Sequence, residues 1–161
     1  MKENLLVTLA DSNYIDQAKQ LFSSVYWNAG WTGDYMLLAH QIPEEKLKWF
    51  RDKGILVKEC LPLYDKAINE YHCAVASKIY LFLPYFKKWN NVLFLDSDIL
   101  IRASLDGLTR TKGFAAVADI EPLKKQFIDN DNFLNQLKND FNLAKPSFNS
   151  GVMVFFYRHY N

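Results

Sequence analysis

Long apolar runs, a glycine-rich loop and a surplus of either charge are all missing from this 161-residue chain, and each absence excludes a class of function. Nineteen Lys and Arg stand against eighteen Asp and Glu, a formal charge of +1, so no strong field draws the chain onto nucleic acid or an anionic membrane. The apolar run at 5–9 is too short for the core of a secretory signal, and the stretch at 79–86 is broken by Pro84 and followed by Lys87-Lys88. Neither approaches the roughly twenty apolar residues of a membrane span. A soluble, cytoplasmic chain without a membrane segment is expected. Cys60 and Cys73 belong to no C-x-x-C pair and read as small buried hydrophobes of a reducing compartment, not as a disulfide frame or zinc site. None of the six glycines falls in 8–14, the first strand-to-helix turn, which excludes a dinucleotide G-x-G-x-x-G or a Walker A loop there.

Apolar residues make up 50% of the chain and charged residues 23%, which suits one compact domain over 1–161 with a real core. Aromatics reach 16%, with twelve Phe and nine Tyr, and most are expected in that core. Strand-like runs at 5–9, 35–39, 55–57, 91–95, 114–118 and 152–155 are separated by helical patterns. Asp11-Ser12-Asn13 offers N-caps for a helix with Tyr14, Ala18, Leu21, Phe22 and Val25 at helical spacing. Pro43 opens a second helix that Gly54 ends. Further helices are predicted at 73–86 and 124–138. This alternation is the mark of an α/β fold: a mostly parallel central sheet with helices on both faces. Ligands of such sheets bind beyond the carboxyl ends of the strands, here Ala10 to Asn13, His40, Asp96 to Asp98, Asp119 and the region of Asn149.

Asp96-Ser97-Asp98 stands between Leu93-Phe94-Leu95 and Ile99-Leu100-Ile101. A bare D-x-D means little, because twelve aspartates produce about one by chance. Asp129-Asn130-Asp131, set among Asn, Lys and Gln, is the chain's own control and reads as a solvated helix start. The first pair differs because a buried strand delivers it. In extended chain both acids point to one face. At about 6 Å apart they repel by roughly 3 kcal/mol at an effective dielectric of 20. A divalent cation turns that cost into attraction, and oxygen ligands with open positions suit Mg²⁺ or Mn²⁺ on a diphosphate. Phe148-Asn149-Ser150-Gly151 then opens an apolar strand, with a glycine that permits close backbone approach. The turn at 8–14 could hold a nucleotide with backbone N–H groups and Tyr14; its want of glycine disfavours a sugar nucleotidyltransferase.

These pieces, in this order, resemble family 8 glycosyltransferases, the group of glycogenin and bacterial lipopolysaccharide galactosyltransferases. Val7-Thr8-Leu9 matches the opening V-T-L strand, Leu93 to Asp98 the D-x-D strand, and Ala115-Ala116-Val117-Ala118-Asp119 the A-A-x-x-D pattern. Phe148 to Val154 matches the F-N-[SA]-G-V-[FM]-V segment, and Lys78 the basic residue before the D-x-D strand. The resemblance implies a GT-A-type, Rossmann-like fold and a metal-dependent retaining glycosyltransferase. Such an enzyme moves a hexose from a UDP-sugar to a hydroxyl of a carbohydrate or glycan acceptor. It implies Asp96 and Asp98 as ligands of Mn²⁺ or Mg²⁺, with Asp96 also near the ribose. Leu9, Asp11, Tyr14, Lys78, Asp96 and Ser97 would bind the donor, Tyr14 by stacking on uracil. Asp119, Asn149 and Ser150 would face the transferred sugar as the catalytic group.

The family's later D-Q-x-x-x-N and H-x-x-G-x-x-K-P-W segments, the second with a third metal ligand, have no match here, and His159 is too early to supply it. The resemblance therefore implies either an amino-terminal portion of a longer domain or a reduced member of the family, and the first is the expectation. An apolar strand at 152–156 without cover would then favour self-association into a homo-oligomer. Two other readings fit parts of the pattern. A non-catalytic nucleotide-sugar-binding module would bind without turnover. A haloacid-dehalogenase-type phosphatase also places D-x-D after an apolar strand, but wants that strand first and Thr or Val where Leu100 stands.

Overall fold

The computed structural model describes residues 2–63, 73–127 and 138–157. Its centre is a six-stranded sheet of β1 (Lys2–Ala10), β2 (Asp34–His40), β3 (Leu56–Cys60), β4 (Trp89–Leu95), β5 (Phe114–Pro122) and β6 (Pro146–Phe156). The strand order is β3-β2-β1-β4-β6-β5. The first four strands run parallel, and β6 is antiparallel to both β4 and β5. The expected mostly parallel α/β sheet is present, and β6 is the departure from it.

The apolar strands alternate between two cores. Leu5, Val7 and Leu9 join Met36, Leu38, Val92 and Phe94 on one face. Leu6 and Ala10 join Leu37, Ala39, Leu93 and Leu95 on the other. This is the period of two of a strand covered on both sides. Burying one such leucine stabilises by roughly 1.5–3 kcal/mol, and Leu37→Ala would cost about 2–5 kcal/mol. Two helices, α1 (Ile15–Asn28) and α2 (Glu44–Asp52), cover the second face with Ala18, Leu21, Phe22, Val25, Leu47 and Phe50. Asp11 orders the turn that leads into α1, its Oδ1 accepting the N–H groups of Asn13 at 2.8 Å and Tyr14 at 3.2 Å. The N-cap falls on Tyr14, with no side-chain cap bond, where one of Asp11 to Asn13 was expected. Gly54, at φ +75°, ends α2 in a conformation that a side chain would strain.

The first face is covered by 73–88, where one helix was expected. A single turn, α3 (Cys73–Ala76), tightens into 3₁₀ stretches at Ser77–Phe82 and Pro84–Lys88. Pro84 has no N–H to continue the helix and holds Leu83 extended, at φ −68° and ψ 146°. Leu81 and Phe86 are buried against the sheet. Of the helix expected at 124–138, Leu123–Phe127 forms a 3₁₀ stretch; the rest, with Asp129-Asn130-Asp131, lies largely outside the described residues.

The apolar strand near the end of the chain is not uncovered. β6 lies between β4 and β5, with Met153, Val154 and Phe155 buried and the Phe155 ring 5.2 Å from Phe82 and 5.1 Å from Phe114. The sheet edge on that side is β5, where Ile120 is 97% exposed. Cys60 is buried, and that burial pushes its thiol up to about 11 against the opposing pull of Lys58, which fits a structural hydrophobe. Among the described residues, no helix is long and apolar enough to cross a membrane.

Candidate functional site

The chain runs from β1 outward to β2 and β3, then crosses back to β4 on the other side of β1. Loops leaving β1 and β4 therefore diverge, and a crevice opens at the carboxyl ends of these two strands. A cavity of about 210 Å³ lies there. Leu9, Ala10, Asp11 and Tyr14 line it from the β1 side, and Asp96, Ser97 and Asp98 from the β4 side. Ala74, Val75 and Lys78 close it from the 73–82 segment. Every residue expected to bind the donor thus reaches one cavity. Tyr14 is 52% exposed, which places it at the mouth and not in the core.

Hydrogen bonds to the backbone fix the D-x-D segment. The buried Thr8 Oγ1 donates to the Leu95 carbonyl at 2.7 Å, tying β1 to the last residue of β4. The Asp96 N–H donates to the Gly151 carbonyl at 2.8 Å, and the Ile99 N–H to the Asp96 carbonyl at 3.2 Å. The second bond makes 96–99 a turn, where extended chain was expected. Both carboxylates still line the cavity.

Gly151 has a specific task. A Cβ there would stand 3.1 Å from Asp96 Oδ2 and 2.9 Å from Asn149 Oδ1, so the close approach it permits is to these side chains. β6 brings it there by a bulge. Ala116 pairs with Met153 but Val117 with Asn149, so residues 150–152 have no partner on β5 and shift toward the end of β4. The Asn149 Oδ1 accepts the Gly151 N–H at 2.8 Å and holds the bulge closed.

Lys78 links the parts. Its Nζ is 2.7 Å from Asp96 Oδ1 and donates to Ser150 Oγ at 3.1 Å and the Ser150 carbonyl at 3.3 Å. The ammonium also lies 5.1 Å over the Phe94 ring. Its backbone is steadied from below by Ser77, whose hydroxyl is 3.0 Å from Nδ1 of the buried His40 at the end of β2. Ser150 and Asn149 therefore adjoin the cavity through β6. Asp119 is not brought there: it sits on β5, two strands from β4 and so roughly 10 Å away, and its Oδ1 accepts the Ile120 N–H at 2.8 Å. Ala74 and Val75 were missed by sequence reasoning, although they precede Lys78 by four and three residues, the spacing of one helical face.

The Asp96 and Asp98 carboxylates on one cavity suit a hard divalent cation that takes its remaining oxygen ligands from water or a diphosphate. Among the described residues, no group of three or more His, Cys, Asp or Glu side chains could hold an ion alone. The site fits a cation shared with a phosphate ligand.

A larger cavity, about 690 Å³, lies between α1 and α2 near the amino-terminal ends of β2 and β3. Phe22, Tyr26, Trp27, Tyr35 and Trp49 dominate its lining. Its charged groups are Asp52, which pairs with Lys48 at 2.6 Å, and Lys53. It has no pair of carboxylates.

Residues 5–161 match the family model for glycosyl transferase family 8. Among solved structures, the chain is similar to the galactosyltransferase LgtC in complex with donor and acceptor sugar analogs, at 22% identity and TM-score 0.66. That match covers 95% of this chain and 58% of LgtC. The bifunctional glycosyltransferase WbbM matches at 18% identity and TM-score 0.62, over 98% of this chain and 32% of its own. The glycosyltransferase GlyE of Streptococcus pneumoniae TIGR4 matches at 21% identity and TM-score 0.56, over 98% and 35%. At these identities the likeness shows the fold, GT-A type, and the chain spans less than two thirds of each structure. No curated protein matches.

Proposed function

The chain belongs to glycosyl transferase family 8, and from that premise we propose that it moves a hexose from a UDP-sugar to a hydroxyl of a carbohydrate acceptor, with retention at the anomeric carbon. The observation that carries this reading is one cavity, at the point where strand order reverses, that gathers the carboxylates of Asp96 and Asp98 beside that of Asp11, an ammonium and an exposed aromatic ring. Asp96 and Asp98 would hold Mn²⁺ or Mg²⁺ there. When bound, the cation supplies Lewis-acid neutralisation of the charge that develops on the departing diphosphate.

The chain's own residues divide the remaining work. Tyr14 offers its ring to uracil at the cavity mouth. Asp11 orders the turn that presents Tyr14, through its bonds to the Asn13 and Tyr14 N–H groups. Leu9 and Ser97 shape the walls around base and ribose, and Lys78 supplies positive charge beside the diphosphate. Asn149 and Ser150 face the transferred sugar from β6, with Asp119 one strand further out. Among the described residues, the only carboxylates lining the cavity are Asp11, Asp96 and Asp98. Asp11 is engaged with backbone and the other two would be engaged with the cation, so none of these three is free to act as a nucleophile behind the sugar. Attack of the acceptor on the face that the UDP leaves accounts for retention without one.

Calorimetric titration of UDP tests the reading. Mn²⁺ should support binding and EDTA should remove it; equal affinity in both would take the metal out of the site. UDP-sugar turnover is the second measurement. Binding without transfer to any sugar acceptor would make the chain a nucleotide-sugar-binding module.

A further inference from the structure

We propose that Lys78 is the built-in rival of the cation for Asp96: an incoming divalent ion must displace its ammonium from the carboxylate, and the displaced ammonium then pairs with the donor's diphosphate. This rests on the metal-dependent reading above and adds an order of events to it. An ammonium has three N–H donors, and Lys78 directs them at Asp96 Oδ1 (2.7 Å), Ser150 Oγ (3.1 Å) and the Ser150 carbonyl (3.3 Å). Its side chain is only 16% exposed, so water competes poorly for these bonds. The other Asp96 oxygen, Oδ2, lies toward the backbone of Gly151. A cation drawn by Asp96 and Asp98 thus meets an ammonium on one oxygen of Asp96 and β6 beside the other.

Two cations on one carboxylate repel, so the ammonium has to move as the metal arrives. Without nucleotide it would lose a charged partner and gain none, and the metal alone should bind weakly. With a diphosphate present it would exchange one anion for another. Metal and nucleotide should then strengthen each other, by the same factor whichever binds first.

Binding of Mn²⁺ alone to the whole chain, followed by electron paramagnetic resonance of the free ion, separates this from a purely structural lysine. Lys78→Met keeps the length and removes the charge; it should tighten Mn²⁺ by about tenfold, the effect of one displaced ion pair, and shrink the gain that UDP adds. Lys78→Arg should behave like the parent. Lys78→Gln serves if the Met variant does not fold by circular dichroism. Unchanged or weaker Mn²⁺ binding in a folded, uncharged variant overturns the exchange. If Asp98→Asn still abolishes Mn²⁺ binding in that case, the metal site itself stands. If Asp98→Asn changes nothing in either background, or no variant binds Mn²⁺, the metal reading and the exchange fall together.

Discussion

Two cavities flank this sheet, at opposite ends of its parallel strands, and they are built from different materials. The one between α1 and α2 holds about 690 Å³ and is walled by aromatic rings. The one at the ends of β1 and β4 holds about 210 Å³ and gathers Asp96, Asp98, Lys78 and Tyr14. Volume favours the first, and chemistry favours the second. The reason lies in chain direction: loops beyond the carboxyl ends of β1 and β4 diverge, so polar side chains from separate segments converge without disturbing either core. The aromatic cavity arises where helix ends splay over the start of β2 and β3, and its rings continue the core that α1 and α2 already bury. A cavity's contents, and the strand ends that supply them, say more about chemistry than its size.

The polar cavity depends most directly on Asp98. Asp98→Asn should lower Mn²⁺-dependent UDP affinity by at least about a hundredfold, since loss of mere supporting contacts to a metal ligand already costs about ten- to a hundredfold. Calorimetry with Mn²⁺ and with EDTA reads it, and an unaffected variant would remove the polar cavity's main claim. Gly151→Ala comes next, with an expected loss of about tenfold. The new methyl would stand 3.1 Å from Asp96 Oδ2 and 2.9 Å from Asn149 Oδ1, so the carboxylate or the bulge must shift. Parent-like affinity would show that neither position matters to binding.

Much of the polar cavity was legible because its residues sit at the ends of strands that announce themselves. Leu93-Phe94-Leu95 is apolar on both faces, so the residues after it had to emerge at a sheet end, and Asp96 and Asp98 do. Tyr14 and Asp11 were readable for the same reason after β1. Direction was not readable in β6: an apolar run from 152 to 155 looks the same whether it runs parallel or antiparallel. The bulge was hidden too, because it depends on how β6 pairs with two neighbours at once. Asp119 shows the consequence. It follows an apolar run just as Asp96 does, yet its strand lies at the sheet edge and delivers it away from the cavity. Composition said nothing about the tight 3₁₀ path of 77–88, which Pro84 and the burial of Leu81 and Phe86 impose together.

Tyr14 sharpens the comparison at the aromatic level, because rings occur in both cavities. Tyr14→Ala should weaken UDP by about tenfold, in line with the roughly 1–3 kcal/mol of a stacked base. Its ring is half exposed, so the melting temperature should stay near that of the parent. A collapse in melting temperature with affinity kept would mean that the ring packs and does not bind.

The smallest effect is expected at Trp27, and it tests whether the larger cavity takes part at all. Trp27 is 78% exposed and meets Tyr26 edge-on at 5.0 Å, on the last turn of α1. Removing an exposed ring from a helix surface changes stability by about 0.5 kcal/mol or less when no specific feature depends on it. The cavity it borders lies near the amino-terminal ends of β2 and β3, whereas the proposed nucleotide site is the cavity at the carboxyl ends of β1 and β4. The core of α1 lies between them, and neither a charge nor a hydrogen bond of Trp27 reaches across. Trp27→Ala should therefore leave both Mn²⁺ and UDP affinity within about twofold of the parent and the melting temperature within a few degrees. Should UDP affinity instead fall as far as in Tyr14→Ala, with the fold intact, the two cavities would be coupled through α1. The aromatic one would then belong to the functional site.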